Sequence, residues 1–130
     1  MSTYLLDTTV IIDALNEKKG RRLLLREIVM QGHLLACCPI NVAEVYTGLR
    51  PKEEEKTKGL LSSLQYYSIT FPIAERAGLL RRNHRLKGQT LSITDALIAA
   101  VALHYELTLV TDNTKDFPMA ALSLYPLPAS

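Results

Sequence analysis

The sequence predicts an α/β fold, with a central parallel sheet of four to five strands flanked by helices on both faces. Three observations predict it. Short apolar runs at residues 4–6, 34–38, 67–71 and 107–111 alternate with longer segments of helical character. Each run ends in turn or helix-start chemistry: Asp7-Thr8, Pro39, Pro72 and Asp112-Asn113. The segment 92–102, Ser-Ile-Thr-Asp-Ala-Leu-Ile-Ala-Ala-Val-Ala, is the most apolar helical stretch in the chain and rich in small side chains, the composition of a helix pressed closely onto a sheet.

Size and composition set the frame. With 130 residues, 48% of them hydrophobic and 22% charged, residues 1–130 are expected to form a single domain whose core needs neither disulfide nor structural metal. No apolar run approaches the roughly 20 residues that span a bilayer. The start lacks a charged segment followed by a long apolar one, so a soluble, cytoplasmic protein without membrane contact is expected. Cys37 and Cys38 are adjacent in a predicted strand, where side chains alternate faces, and they fit a reducing compartment as small core residues. His33, His84 and His104 are far apart, and no Cys/His spacing suggests zinc. The net charge of +2 is compatible with nucleic acid without requiring it.

Taken in order, residues 4–6 form a buried strand that Asp7 ends, and Thr8 or Thr9 caps a short helix continuing to Leu15. Residues 16–20 are a polar break. A second helix carries Leu23, Leu24, Glu27, Ile28 and Gln31 and stops near Gly32. The second strand is closed by Pro39, and a helix follows with Asn41 as N-cap and Glu44 three residues later. Pro51 starts the next helix, with a Glu54–Lys58 pair and an apolar stripe of Leu60, Leu61 and Leu64. Residues 67–71 read as a third strand, and Pro72 opens a helix through Ala74, Ala77, Leu80 and Arg81 that stops near Gly88. After the apolar helix and the strand at 107–111 come a polar turn at 112–117 and a short edge strand at Leu122-Ser123-Leu124.

Asp7, Glu44, Asp95 and the Asp112 to Asp116 pair each lie where a strand or loop hands over to a helix or turn. Singly, each has a capping explanation: Asn41 with Glu44, Ser92 with Asp95, and Asn113 with Asp116 all match the cap-plus-acid pattern. Jointly they say more. Right-handed crossovers put the carboxyl ends of parallel strands on one edge, which gathers Asp7 and the turn after Val110. Carboxylates brought close raise one another's pKa, and a hard cation such as Mg2+ or Mn2+ relieves that repulsion.

This constellation resembles the PIN-domain ribonucleases, and specifically the VapC-like toxins of type II toxin–antitoxin modules. The resemblance rests on Leu5-Leu6-Asp7-Thr8-Thr9-Val10, Asn41-Val42-Ala43-Glu44-Val45-Tyr46-Thr47-Gly48, Thr94-Asp95-Ala96-Leu97-Ile98-Ala99-Ala100 and Val110-Thr111-Asp112-Asn113-Thr114-Lys115-Asp116-Phe117, in the family's order. It implies a PIN-like fold, metal-dependent endonuclease cleavage of RNA, a homodimer, and a small antitoxin that blocks the site. Asp7, Glu44 and Asp95 match the family's three firm acidic positions. For the fourth, Asp116 is chosen and Asp112 held in reserve, because Asn113 stands where many relatives carry an acid. Thr111 matches a hydroxyl that the family places near the site, and Thr9 occupies a position where the family often has Asn.

The expected mechanism has Asp7, Asp95 and Asp116 binding Mg2+ or Mn2+ directly or through water, while Glu44 ligates or orients the attacking water. Lys18, Lys19, Arg21, Arg22, Arg81, Arg82, Arg85 and Lys87 are the candidate phosphate contacts. Tyr46, Leu49, Leu60, Leu61 and Leu64 are candidates for an antitoxin groove. The competing readings are a degenerate PIN scaffold that binds RNA or protein without cutting, and a phosphoryl-transfer α/β domain. Against the latter, no second Asp stands two residues after Asp7, and no lysine obviously placed for that chemistry follows a late strand.

Overall fold

The structure, a computed structural model, describes residues 1–127. The expected single domain at 1–130 therefore includes three residues outside the described ones. Five strands, β1 (Thr3–Leu6), β2 (Leu34–Cys37), β3 (Gln65–Tyr66), β4 (Thr108–Val110) and β5 (Leu124–Tyr125), form one sheet in the order β3-β2-β1-β4-β5, with every pairing parallel. Six α-helices cover it: α1 (Thr8–Leu15), α2 (Arg21–Met30), α3 (Pro39–Thr47), α4 (Glu54–Ser62), α5 (Phe71–Leu86) and α6 (Ile93–His104). The α/β prediction holds.

The alternation of side chains along each strand divides the core into two layers. Leu5, Ala36 and Leu109 face α5 and α6, where Ile73, Ala77, Ala96, Ile98 and Ala99 meet them. Their neighbours Leu6, Cys37 and Val110 face the opposite side, against Val10, Ile11, Leu25 and Ile28. Leu5 and Leu6 are both 0% exposed, and each contributes about 1.5–3 kcal/mol by its burial. Cys37 and Cys38 point into different layers and stay free, as the alternation requires. Burial pushes the Cys37 thiol up to about 11, so it is protonated and unreactive at neutral pH.

Several elements differ from the sequence reading. The third strand is Gln65–Tyr66 rather than 67–71. The Tyr67 N–H still donates to the Cys37 carbonyl at 2.9 Å, but β2 leaves for α3 at that point and offers residues 68–71 no further partner. Helix α3 starts at Pro39, not after Asn41, because proline's fixed φ suits the first helical position and Cys38 is extended before it (φ −134°, ψ 173°). Asn41 is thus the third residue of the helix, and its Oδ1 accepts from the Cys38 N–H at 2.9 Å. The Glu54–Lys58 pair is absent from the salt bridges of the described residues, and the edge strand falls at Leu124–Tyr125, opposite Leu109 and Val110, while Leu122 turns into the core. Among the described residues no helix is long and apolar enough to cross a membrane.

The chain goes from β1 outward to β2 and β3, then returns to the other side of β1 for β4 and β5. The order therefore reverses between β1 and β4, and the crevice beyond their carboxyl ends is where an open α/β sheet binds ligands. Asp7 follows β1 directly, and Thr111 follows β4.

Candidate active site

Asp7 sits at the end of β1, 6% exposed, with its own N–H bound to the Val110 carbonyl at 2.9 Å. It is the N-cap of α1 itself, in place of Thr8 or Thr9: Oδ1 accepts from the Thr8 N–H at 2.8 Å. Oδ2 accepts from the Thr111 hydroxyl at 2.7 Å, and the Thr111 oxygen accepts in turn from the Asn113 N–H at 3.0 Å. Burial pushes the Asp7 carboxyl above its ordinary range, the bonds from Thr111 and Thr8 oppose this, and the charges of Asp95 and Glu44 add to the rise.

Asp95 is in the first turn of α6, where Ser92 is the N-cap as expected and its Oγ accepts from the Asp95 N–H at 3.1 Å. Its carboxyl is also raised, first by burial and then, against the Ser92 bond, by the charges of Asp116 and Glu44. Glu44 stands on the exposed side of α3 and accepts from the Thr8 hydroxyl at 2.6 Å. The same Thr8 oxygen accepts from Asn41 Nδ2 at 3.1 Å, and Asn41 is fully buried. Glu44 is therefore tied to the residue after Asp7 and does not cap its own helix. Asp116 is exposed at the end of a 3-10 turn, Thr114–Asp116, which Asn113 precedes without a side-chain cap bond.

The remaining candidates lie elsewhere. Asp112 is engaged by Arg21, with Nη2 to Oδ1 at 2.6 Å. Asn113 contributes its backbone to Thr111, and Thr9 is exposed on α1. Arg21, read from the sequence as a phosphate contact, is only 2% exposed and so cannot reach a substrate. Lys19 pairs with Asp13, Arg22 with Glu17, and Arg81 Nε donates to the Leu91 carbonyl, while Lys18, Arg82, Arg85 and Lys87 are exposed. Thr8 and Asn41 were missed as site residues because both were read only as helix caps.

Of the salt bridges among the described residues, none includes Asp7, Glu44, Asp95 or Asp116. Nor do any three His, Cys, Asp or Glu side chains there stand close enough to form a ready-made metal cage. The donors are all carboxylate oxygens, which suits a hard ion, and one that keeps several of its waters does not need the carboxylates in mutual contact. The set fits such a cation.

An open parallel sheet whose switch-point crevice gathers acids without basic partners defines a class of α/β domain suited to hard cations and phosphate groups. Comparison with known proteins narrows this. Residues 4–121 match the PIN domain, and the chain belongs to the PIN-domain family, in its VapC-like branch. It is 30% identical to Ribonuclease VapC19 of Mycobacterium tuberculosis over 115 residues, 88% of this chain and 92% of that one. Among solved structures it is similar to VapBC2 from Rickettsia felis bound to a DNA fragment from their promoter, with a TM-score of 0.83, 26% identity and coverage of 95% and 97%. A toxin–antitoxin complex from Klebsiella pneumoniae gives a TM-score of 0.75 at 29% identity, covering 92% and 94%.

Proposed function

We propose that this protein is the toxin of a VapBC-type module, a cytoplasmic endoribonuclease that hydrolyses RNA phosphodiester bonds at a carboxylate-held Mg2+ or Mn2+ site. The observation that carries the metal site is the set of four acids from separate segments, electrostatically coupled and without a basic side chain to balance them. Asp7, Asp95 and Asp116 would hold the ion. When bound, the ion lowers the pKa of a water and offsets charge on the scissile phosphate and the departing oxygen. Asp7 is fixed for this role by Thr8 on one oxygen and Thr111 on the other, each leaving lone pairs free. Glu44, aimed by the Thr8 hydroxyl and open to solvent, would accept a hydrogen bond from the attacking water.

The aiming of Glu44 is testable. Thr8→Val keeps the shape of the side chain and removes both of its bonds, to Glu44 and from Asn41. Cleavage is expected to fall roughly 10- to 100-fold, in the range for outer-shell partners. A change below twofold would show that Glu44 needs no such support.

The names of the relatives support RNA as substrate and an antitoxin as partner. Exposed Lys18, Arg82, Arg85 and Lys87 are the phosphate contacts this reading retains. For the antitoxin, a groove of about 330 Å3 between α2 and α4 is lined by Leu25, Val29, Leu60 and Leu64, with Arg22, Arg26 and Lys56 also on its walls. It fits the apolar face of a short helix with acidic flanks. The other residues expected there are placed apart, Leu49 in a second hollow and Tyr46 with Leu61 in a third. Phe71, Leu79 and Leu86 lie on one side of α5 and are 79%, 42% and 80% exposed, which suits burial in a homodimer.

The direct test is incubation of the protein with a generic RNA and Mn2+. Internal scission that EDTA abolishes, and that weakens steeply between 50 and 200 mM salt, is expected. Acyl-phosphate formation, or binding without scission, would overturn the reading.

A further inference from the structure

The acid that the site does not use is held by an arginine that solvent does not reach. Arg21 opens α2, directly after Gly20 in the left-handed region (φ 65°), and its Nη2 meets Asp112 Oδ1 across a sequence separation of 91 residues. Its Nη1 donates to the Lys19 carbonyl at 3.3 Å. An ion pair with Arg21 buried and Asp112 still 22% exposed is a poor way to gain stability, because the desolvation of the arginine and, in part, of the carboxylate offsets their attraction, and apolar residues of similar volume often do as well. Here the pair is also incomplete: Arg21 Nε and Asp112 Oδ2 are buried without a partner. The contact has to be explained by what it holds in place.

Asp112 lies between two residues that shape the carboxylate cluster. On one side Thr111 donates to Asp7 Oδ2. On the other, Asn113 donates its N–H to the Thr111 oxygen, and its carbonyl accepts from the Asp116 N–H at 2.9 Å, setting the turn that carries Asp116. Anchoring residue 112 from α2 therefore fixes the hydroxyl on Asp7 and the approach of Asp116 together. Pairing with Arg21 also gives the Asp112 carboxylate a cation of its own, and its charge is not among those that act on Asp7 or Asp95, so that Asp112 and Asp116 do not compete for one ion. We propose that Arg21 is a positioning residue for the metal site, acting through Asp112 on the loop after β4, an inference that rests on the metal-dependent reading above.

The test is Mn2+ titration of the full chain by calorimetry, with Tm and RNA cleavage measured in parallel. The variants are Arg21→Gln and the double substitution Arg21→Met with Asp112→Leu. The double variant leaves no buried charge unpaired and keeps the fold measurable if Arg21→Gln alone does not fold. The expected result is a Mn2+ dissociation constant raised about tenfold or more, cleavage restored toward wild type when Mn2+ is raised in proportion, and a Tm for the double variant at or above that of wild type. A lowered Tm with unchanged Mn2+ affinity would overturn the proposal and leave the pair a purely structural link. A wild-type protein that binds no Mn2+ would instead overturn the metal-site reading beneath it, and this proposal with it.

Discussion

Replacing Asp7 with Asn is expected to reduce RNA cleavage by about a thousandfold or more, equivalent to ~4 kcal/mol of transition-state stabilisation. The substitution keeps the shape of the side chain and its place between Thr8 and Thr111, since the amide oxygen accepts from the Thr8 N–H and the amide nitrogen can donate to the Thr111 oxygen. Circular dichroism should therefore be unchanged. What is lost is the negative charge at the centre of the acid cluster, where burial and the neighbouring Asp95 and Glu44 already disfavour it. The metal-free variant should accordingly melt above the metal-free wild type. Activity and stability move in opposite directions, as at sites that hold unfavourable charge for function. Cleavage retained to within tenfold at ordinary metal concentration would remove Asp7 from the mechanism.

The second large effect is on stability, with pH and metal as the variables. Asp7 and Asp95 have folded-state pKa values above their unfolded ones. Between those values the native state binds more protons than the unfolded state, so stability falls as pH rises through the window, and the penalty is fully present above the folded-state pKa. The stability advantage of Asp7→Asn over wild type should thus be small at pH near 4, where much of the charge is titrated, and reach its full size by neutral pH. At neutral pH, Mn2+ at about 100 times its dissociation constant stabilises the wild type by about 2.7 kcal/mol. For a domain of this size that is a rise in Tm of roughly 10 °C. Differential scanning calorimetry at the two pH values checks both statements. A constant difference between wild type and variant, or a Tm indifferent to Mn2+ at neutral pH, would contradict them.

Much of this could be read from the residues, and the exceptions share a cause. The parallel sheet followed from short apolar runs between longer helical segments, and the two-layer core from the alternation that sends Leu5 and Leu6 to opposite sides. Strand β3 was misplaced because its end is decided by its partner: β2 stops at Cys37, and nothing in residues 67–71 announces that. The acids Asp7, Glu44, Asp95 and Asp116 could be singled out from their local settings and from the family resemblance, and in the structure Asp7 feels the charges of Asp95 and Glu44, and Asp95 those of Asp116 and Glu44. The polar residues between them were harder to read. Thr8 and Asn41 looked like caps, and Asn41 does bond locally to the Cys38 N–H, but the bonds that join Thr8 to Asn41 and to Glu44 run from one element to another over 33 and 36 residues. Arg21 looked like one more basic residue in a solvated stretch, but it is buried because Asp112, far away in the chain, is there to meet it. Periodicity and capping rules report on neighbours in sequence, and these three contacts are between neighbours in space only.

An anomalous difference map from a crystal soaked in Mn2+ tests the site most directly. A peak in the crevice beyond β1 and β4, with Asp7 as a ligand and Asp95 and Asp116 bound to it or to its waters, is the predicted result. A map with no peak there, or with the ion held by Asp112 instead, would contradict the assignment of these carboxylates to one metal centre.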